Sequence, residues 1–72
     1  MKGNFFYQRL GDKVARARKL HGLTQEDLAL LSNTDRTYIA RIETGRANPS
    51  IKVLNKVARV LKLKVFNLID GV

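Results

Sequence analysis

The chain has 72 residues with no cysteine and one histidine, which excludes a disulfide framework, a thiolate metal site, and a zinc site built on His21 alone. At this length residues 1–72 are expected to form one domain, near the lower limit for a core without staples, and 44% hydrophobic residues suffice for a compact helical bundle. Fourteen Lys and Arg against six acidic residues give a net charge of +8, which favours a polyanionic partner such as nucleic acid, although a solvated basic face would show the same excess.

No run of residues approaches the roughly 20 apolar positions that a membrane-spanning helix needs. The opening stretch from Met1 to Tyr7 is too short, and too soon followed by charge, for a signal peptide. A cytoplasmic protein is therefore expected. A basic amphipathic helix lying on an anionic membrane is the alternative left by charge alone.

The first predicted helix runs from about Phe5 to Leu20. Phe6, Leu10, Val14 and Ala17 recur at spacings that make one apolar stripe, while Arg9, Lys13 and Arg16 form a basic stripe elsewhere on the same helix. Gly11 costs about 1 kcal/mol there relative to alanine, so packing must hold the helix together. The second helix spans 25–32. Thr24 is a natural N-cap whose hydroxyl can accept from the amide three residues on, and Glu26 and Asp27 suit the positive helix end. Asn33 follows at a turn, where it tolerates positive φ better than most residues.

Asp35 is expected to cap the third helix, 36–44, which Gly45 ends as the residue just past the C-cap. Pro49 marks a turn, Ser50 caps a fourth helix over 51–62, and a last short helix covers 65–70. No segment alternates long enough for a convincing strand. The expected fold class is all-α, a compact bundle of five helices with tight turns.

Two short helices joined by about three residues have the geometry of a helix-turn-helix. On a wheel of about 100° per residue, Arg36, Ala40, Thr44, Thr37 and Arg41 fall within an arc of about 140° on the third helix. Ile39, Ile42 and Glu43 lie on the other side, and Tyr38 sits at the boundary. One face can therefore pack inward. The other offers arginines that can fork onto guanine O6 and N7, and threonines that can donate, accept or touch a thymine methyl. For an isolated helix, a solvated polar face would be the simpler reading; the capped helix before it and the net charge shift the balance. Glu43 falls beside two isoleucines, where a lone carboxylate is costly to bury, so it needs a cation.

These features, with Arg18, the run Gly22-Leu23-Thr24-Gln25-Glu26-Asp27-Leu28-Ala29, Ile39, Ile42-Glu43-Thr44-Gly45-Arg46 and Asn48-Pro49-Ser50, resemble the lambda-repressor and Cro type of helix-turn-helix, often called the XRE family. The resemblance covers residues 10–69. Ser32-Asn33 and Asp35-Arg36-Thr37-Tyr38-Ile39 look most like the controller proteins of restriction–modification systems. A glycine often stands in that family where this chain has Asn33, an adequate substitute.

The resemblance implies a five-helix lambda-repressor-like domain and a transcriptional regulator that binds double-stranded DNA. It also implies that Arg18 pairs with Glu43 to tie the recognition helix to the scaffold. Gln25 would bind a phosphate and brace Arg36, and Arg46 and Asn48 would bind phosphates from the following loop. Resemblance and wheel together point to Arg36, Thr37 and Arg41 as base-edge contacts. Tyr38 suits either a base contact or packing against the sugar-phosphate backbone.

A homodimer reading a palindromic operator is expected, because one such module reads only a few base pairs. On the fourth helix Ile51, Leu54, Val57, Ala58 and Leu61 fill the core-facing arc, and Val53 and Val60 widen it to roughly 180°. In the last helix Val65, Leu68 and Ile69 match family core positions, leaving Phe66 where the family often has a polar residue. Val53, Val60 and Phe66 are the expected subunit interface; in a chain this small they could instead cap its own core. No enzyme is expected, since no nucleophile constellation or phosphate loop is present. No cofactor or metal is expected either, and His21 is read as a helix-end residue meeting terminal carbonyls. RNA polymerase and a toxin are the further partner classes that fit such a regulator.

Overall fold

A computed structural model of the chain describes residues 4–70; the outermost residues, including Met1 to Gly3 of the stretch weighed as a signal peptide, lie outside the described range. Five helices follow one another: α1 (Asn4–Leu20), α2 (Gln25–Leu31), α3 (Arg36–Glu43), α4 (Ile51–Val60) and α5 (Val65–Ile69). Among the described residues there is no strand. No described helix is long and apolar enough to cross a membrane.

The helix ends follow from capping chemistry. The Thr24 hydroxyl accepts from the Asp27 amide at 3.0 Å, and the Asp27 carboxylate accepts in return from the Thr24 amide at 2.9 Å. This reciprocal box satisfies two amides that a helix start leaves unpaired. Hydrogen bonding from the Thr24 amide, and secondly from the Thr24 side chain, holds the Asp27 carboxyl below its ordinary pKa of 3.8. A depressed carboxylate pKa contributes stability above the unfolded value, which is lost as pH falls through the folded one. Asp27→Asn is therefore expected to flatten the acid limb of the stability curve below about pH 4. Chemical unfolding at a series of pH values checks this, and an acid limb as steep as that of the parent protein would remove Asp27 as its source.

At the other end of α2, the buried Ser32 hydroxyl donates to the Leu28 carbonyl at 2.6 Å, and Asn33 takes φ 55° to turn the chain. Ser50 accepts from the Val53 amide at 3.2 Å and starts α4. Asp35 occupies the N-cap of α3 with extended backbone, but its side chain makes no capping hydrogen bond, contrary to expectation. Its carboxylate is exposed, and water competes for it.

Three helices end earlier than their apolar pattern suggests. Ser32, Thr44 and Leu61 act as C-caps, so α2, α3 and α4 stop at Leu31, Glu43 and Val60. In α4 the stop comes from Lys62 at φ 59°, with Leu63 donating back to the Ala58 carbonyl at 2.8 Å. That is the Schellman-type ending more often given to glycine. Asp70 likewise caps α5 instead of extending it.

The core joins Leu10 and Val14 of α1, Leu28 and Ala29 of α2, Ile39 and Ile42 of α3, Leu54, Val57 and Ala58 of α4, then Leu61 and Leu68. Ile51, expected in the core-facing arc, is 60% exposed. The buried residues of α4 centre between Leu54 and Val57, so Ile51 falls at the rim of that arc, in the helix's first turn. Phe6 is exposed for a similar reason, one turn before Leu10, the first buried residue of α1. His21 Nε2 lies 2.9 Å from the Leu61 carbonyl, linking the ends of α1 and α4.

Gly11 sits where α1 meets α3. A Cβ there would fall inside the Ile42 carbonyl oxygen and 2.7 Å from that of Glu43. The missing side chain lets the two backbones approach closely, which fixes the platform that carries α3.

Candidate nucleic-acid interface

The outer face of α3 is assembled by packing its opposite side. Ile39 and Ile42 are fully buried, while Arg36, Thr37, Arg41 and Thr44 are exposed and Ala40 is half-buried between them. Eight residues at about 1.5 Å rise make α3 roughly 12 Å long. Tyr38 is half-buried against the edge of the core, which holds its ring at the margin of this face.

The orientation of α3 is held by a network around Glu43. Arg18 Nε donates to Glu43 Oε2 at 2.6 Å and Nη2 donates to Oε1 at 3.0 Å, a two-pronged pairing. Arg18 Nη1 also donates to the Leu23 carbonyl at 2.8 Å in the α1–α2 turn. The side chains of this pair are only 11% and 6% exposed. Hydrogen bonding to Glu43 raises the Arg18 pKa, desolvation works against it, and the charge of Glu43 adds to the rise. The guanidinium stays charged at any working pH.

Gln25 was expected at a phosphate, bracing Arg36; in the structure its Nε2 donates to Glu43 Oε1 at 3.0 Å. The reason is electrostatic. A carboxylate this deeply buried has lone pairs beyond those Arg18 uses, and the Gln25 amide is within reach of one. Gln25 and Arg36 do line one hollow beside the N-terminus of α2, together with Thr24.

The loop after α3 is fastened to the helix. The Arg46 amide donates to the Arg41 carbonyl at 2.8 Å, and Arg41 Nη2 donates back to the Arg46 carbonyl at 3.0 Å. One Arg41 nitrogen is thus engaged in the loop. Gly45 takes φ 76°, and a Cβ on it would come within 2.7 Å of Gln8 Cγ. Arg46 and Asn48 are exposed and share a second hollow with Tyr7 and Gln8 of α1, two residues that sequence reasoning passed over. Nothing in their spacing marks them; only the approach of α1 to the loop brings them there.

Val53 and Val60 are half-buried and pack on the core, whereas Phe66 is 64% exposed. Val60 borders a hollow with the exposed Leu31, lined also by Ser32, Asn33, Lys56 and Arg59.

A bundle that presents a short, firmly held second helix across the end of another defines a helix-turn-helix domain of the Cro/C1 type. Residues 14–66 match the Helix-turn-helix family, and the chain belongs to it. An HTH-type transcriptional regulator of Methanocaldococcus jannaschii is 41% identical over 54 residues, 75% of this chain and 82% of that protein. The restriction-modification controller protein C.AhdI from Aeromonas hydrophila superposes with a TM-score of 0.84 at 34% identity, covering 86% of this chain and 94% of that one. The biofilm master regulator SinR, solved in complex with DNA, gives 0.80 at 34% identity over 85% of this chain and 98% of that one. Other relatives are longer. The chain spans 38% of Endothelial differentiation-related factor 1 of Rattus norvegicus, with 43% identity over 56 residues, or 78% of this chain.

Proposed function

We propose that this protein is a sequence-specific, double-stranded DNA-binding regulator of transcription that lays α3 in the major groove. The observation that carries the reading is the division of α3. Its buried isoleucines and the Arg18–Glu43–Gln25 network hold the helix rigidly, while Arg36, Thr37 and Arg41 stay exposed on the outer face. A rigid support matters because base-edge hydrogen bonds tolerate little misplacement.

Arg36, Thr37 and Arg41 contact base edges, with Tyr38 at the margin contacting a base or the sugar-phosphate backbone. Gln25, Arg46 and Asn48 take phosphates; Gln25 does so with the amide oriented by Glu43, or after leaving it. Phosphate contacts set the register, and base contacts supply the sequence preference. Residues 1–72 act on DNA in the cytoplasm as one domain, and no catalytic step is assigned to them. A homodimer formed through Val53, Val60 and Phe66 reads two half-sites about 34–36 Å apart. The likeness to controller proteins and to SinR supports this reading. RNA polymerase or a toxin would be a second partner on the surface away from α3.

Selection from a randomised duplex pool tests the proposal. The expected outcome is a two-fold motif with half-site centres about ten base pairs apart. Arg36→Ala is expected to lose about 1–3 kcal/mol and to relax preference at one position in each half-site. Retention blind to sequence would sink the regulator reading and bring a protein partner forward.

A further inference from the structure

We infer that Tyr7 and Gln8 of α1 join the phosphate site proposed for Arg46 and Asn48, so that the hollow between α1 and the α3–α4 loop clamps one phosphodiester of duplex DNA from both walls. The inference rests on the DNA-binding reading above and extends it to residues of α1. Its lining, Tyr7, Gln8, Thr44, Gly45, Arg46, Ala47 and Asn48, carries one cation, several neutral donors and no acidic group. A phenol, two carboxamides and a guanidinium converging on one hollow suit an anion with several acceptor oxygens.

Both walls are held in place. The α1 wall meets the loop where Gly45 lies against Gln8, at a separation that leaves no room for a Cβ: 2.7 Å to Gln8 Cγ and 3.0 Å to its Cα. The loop wall is fastened by the mutual Arg41–Arg46 hydrogen bonds. One turn further along α1, Gly11 seats the same helix on the α3 backbone. The hollow therefore moves with the recognition helix, and an anion held in it would fix the register of α3.

Its position matches the duplex. The hollow with Gln25 borders Arg36 at the start of α3, and this one borders Thr44 at its end. Arg36 and Thr44 lie about 12 Å apart along α3, so the two hollows flank opposite ends of that helix. Anions held in both hollows would fix both ends of α3 against the duplex.

The test places single uncharged methylphosphonates along each strand of the selected operator and titrates the protein and its variants. Neutralising one flanking phosphate per half-site is expected to weaken the parent protein roughly tenfold, the loss of a charge-assisted contact. Tyr7→Phe and Gln8→Ala are each expected to weaken binding to the unmodified operator about three- to tenfold without changing the selected motif. Both should respond less to that methylphosphonate than the parent does, as should Arg46→Ala, which should also reduce the slope of log affinity against log salt by about 0.9. Arg36→Ala should keep its full response to the same phosphate.

Parent-like affinity in both α1 variants, or variant losses that simply add to the phosphate loss, would overturn the clamp while leaving the DNA reading intact. A parent protein with no preferred motif would overturn both. Tyr7→Phe keeps the ring that packs edge-on against Phe6 at 5.2 Å, so a failure to fold is not expected to obscure the result.

Discussion

Gly11→Ala is expected to destabilise the protein by about 3 kcal/mol or more, although helix propensity by itself predicts a gain of about 1 kcal/mol. The sign reverses because the added methyl has no space. It would overlap the Ile42 carbonyl oxygen and come within 2.7 Å of the Glu43 oxygen and 2.8 Å of its carbonyl carbon. All three are backbone atoms, so no rotamer change can relieve the clash; α1 and α3 must separate. Separation would open the core around Leu10, Val14, Ile39 and Ile42, each at most 1% exposed. Urea unfolding of the variant measures the loss directly. A variant as stable as the parent would mean that α1 and α3 do not meet as closely as described. DNA affinity should fall beyond the share explained by unfolded protein, because α3 would shift on its platform.

Arg18→Ala is expected to cost about 3–5 kcal/mol, the range for removing one member of a buried ion pair. The loss leaves the Glu43 carboxylate, 6% exposed, with Gln25 as its remaining side-chain donor, and it frees the Leu23 carbonyl. In a domain of this size such a loss approaches the whole folding free energy. Arg18→Lys should recover only part of it, because an ammonium lacks the planar fork that reaches both Glu43 oxygens and Leu23.

The double replacement Arg18→Met with Glu43→Leu separates stability from positioning. Apolar residues of similar volume often substitute for a buried pair without loss of stability. The double variant is expected to fold, yet to bind the operator more weakly, since nothing then fixes the end of α3 to α1. Full affinity in a folded double variant would show that packing alone orients the recognition helix. With its pKa raised, Arg18 contributes fully below the ordinary arginine range, and that contribution fades only as pH rises through the still higher folded value. Stability is accordingly expected to show no alkaline loss from this group at working pH.

Much of the fold was legible because the signals are local. Thr24 and Ser50 cap their helices through amides three residues on, and Asn33 and Gly45 take the positive φ that their turns require. The division of α3 was equally readable, since the roughly 100° step per residue places Ile39 and Ile42 opposite Thr37 and Thr44. The demand of Glu43 for a cation followed from its place on the apolar side. Arg18 as the partner came from family resemblance, and its distance in sequence, 25 residues, shows why periodicity could not supply it. Asp35 illustrates the limit of a local rule: the residue type and backbone suit a cap, but the exposed carboxylate does not make the bond.

The sequence by itself determined which segments are helical, where most of them begin, and which side of each can leave water, because these depend on neighbours within one or two turns. The tertiary structure decided what meets across the bundle. It turned the cost of Gly11 into a requirement, gave the Gln25 amide to Glu43, left Ile51 and Phe66 in solvent, and brought Tyr7 and Gln8 to Arg46 and Asn48. Those outcomes depend on how closely and at what angle two helices approach. That geometry is set jointly by all the buried side chains, and no single stretch of the chain carries it.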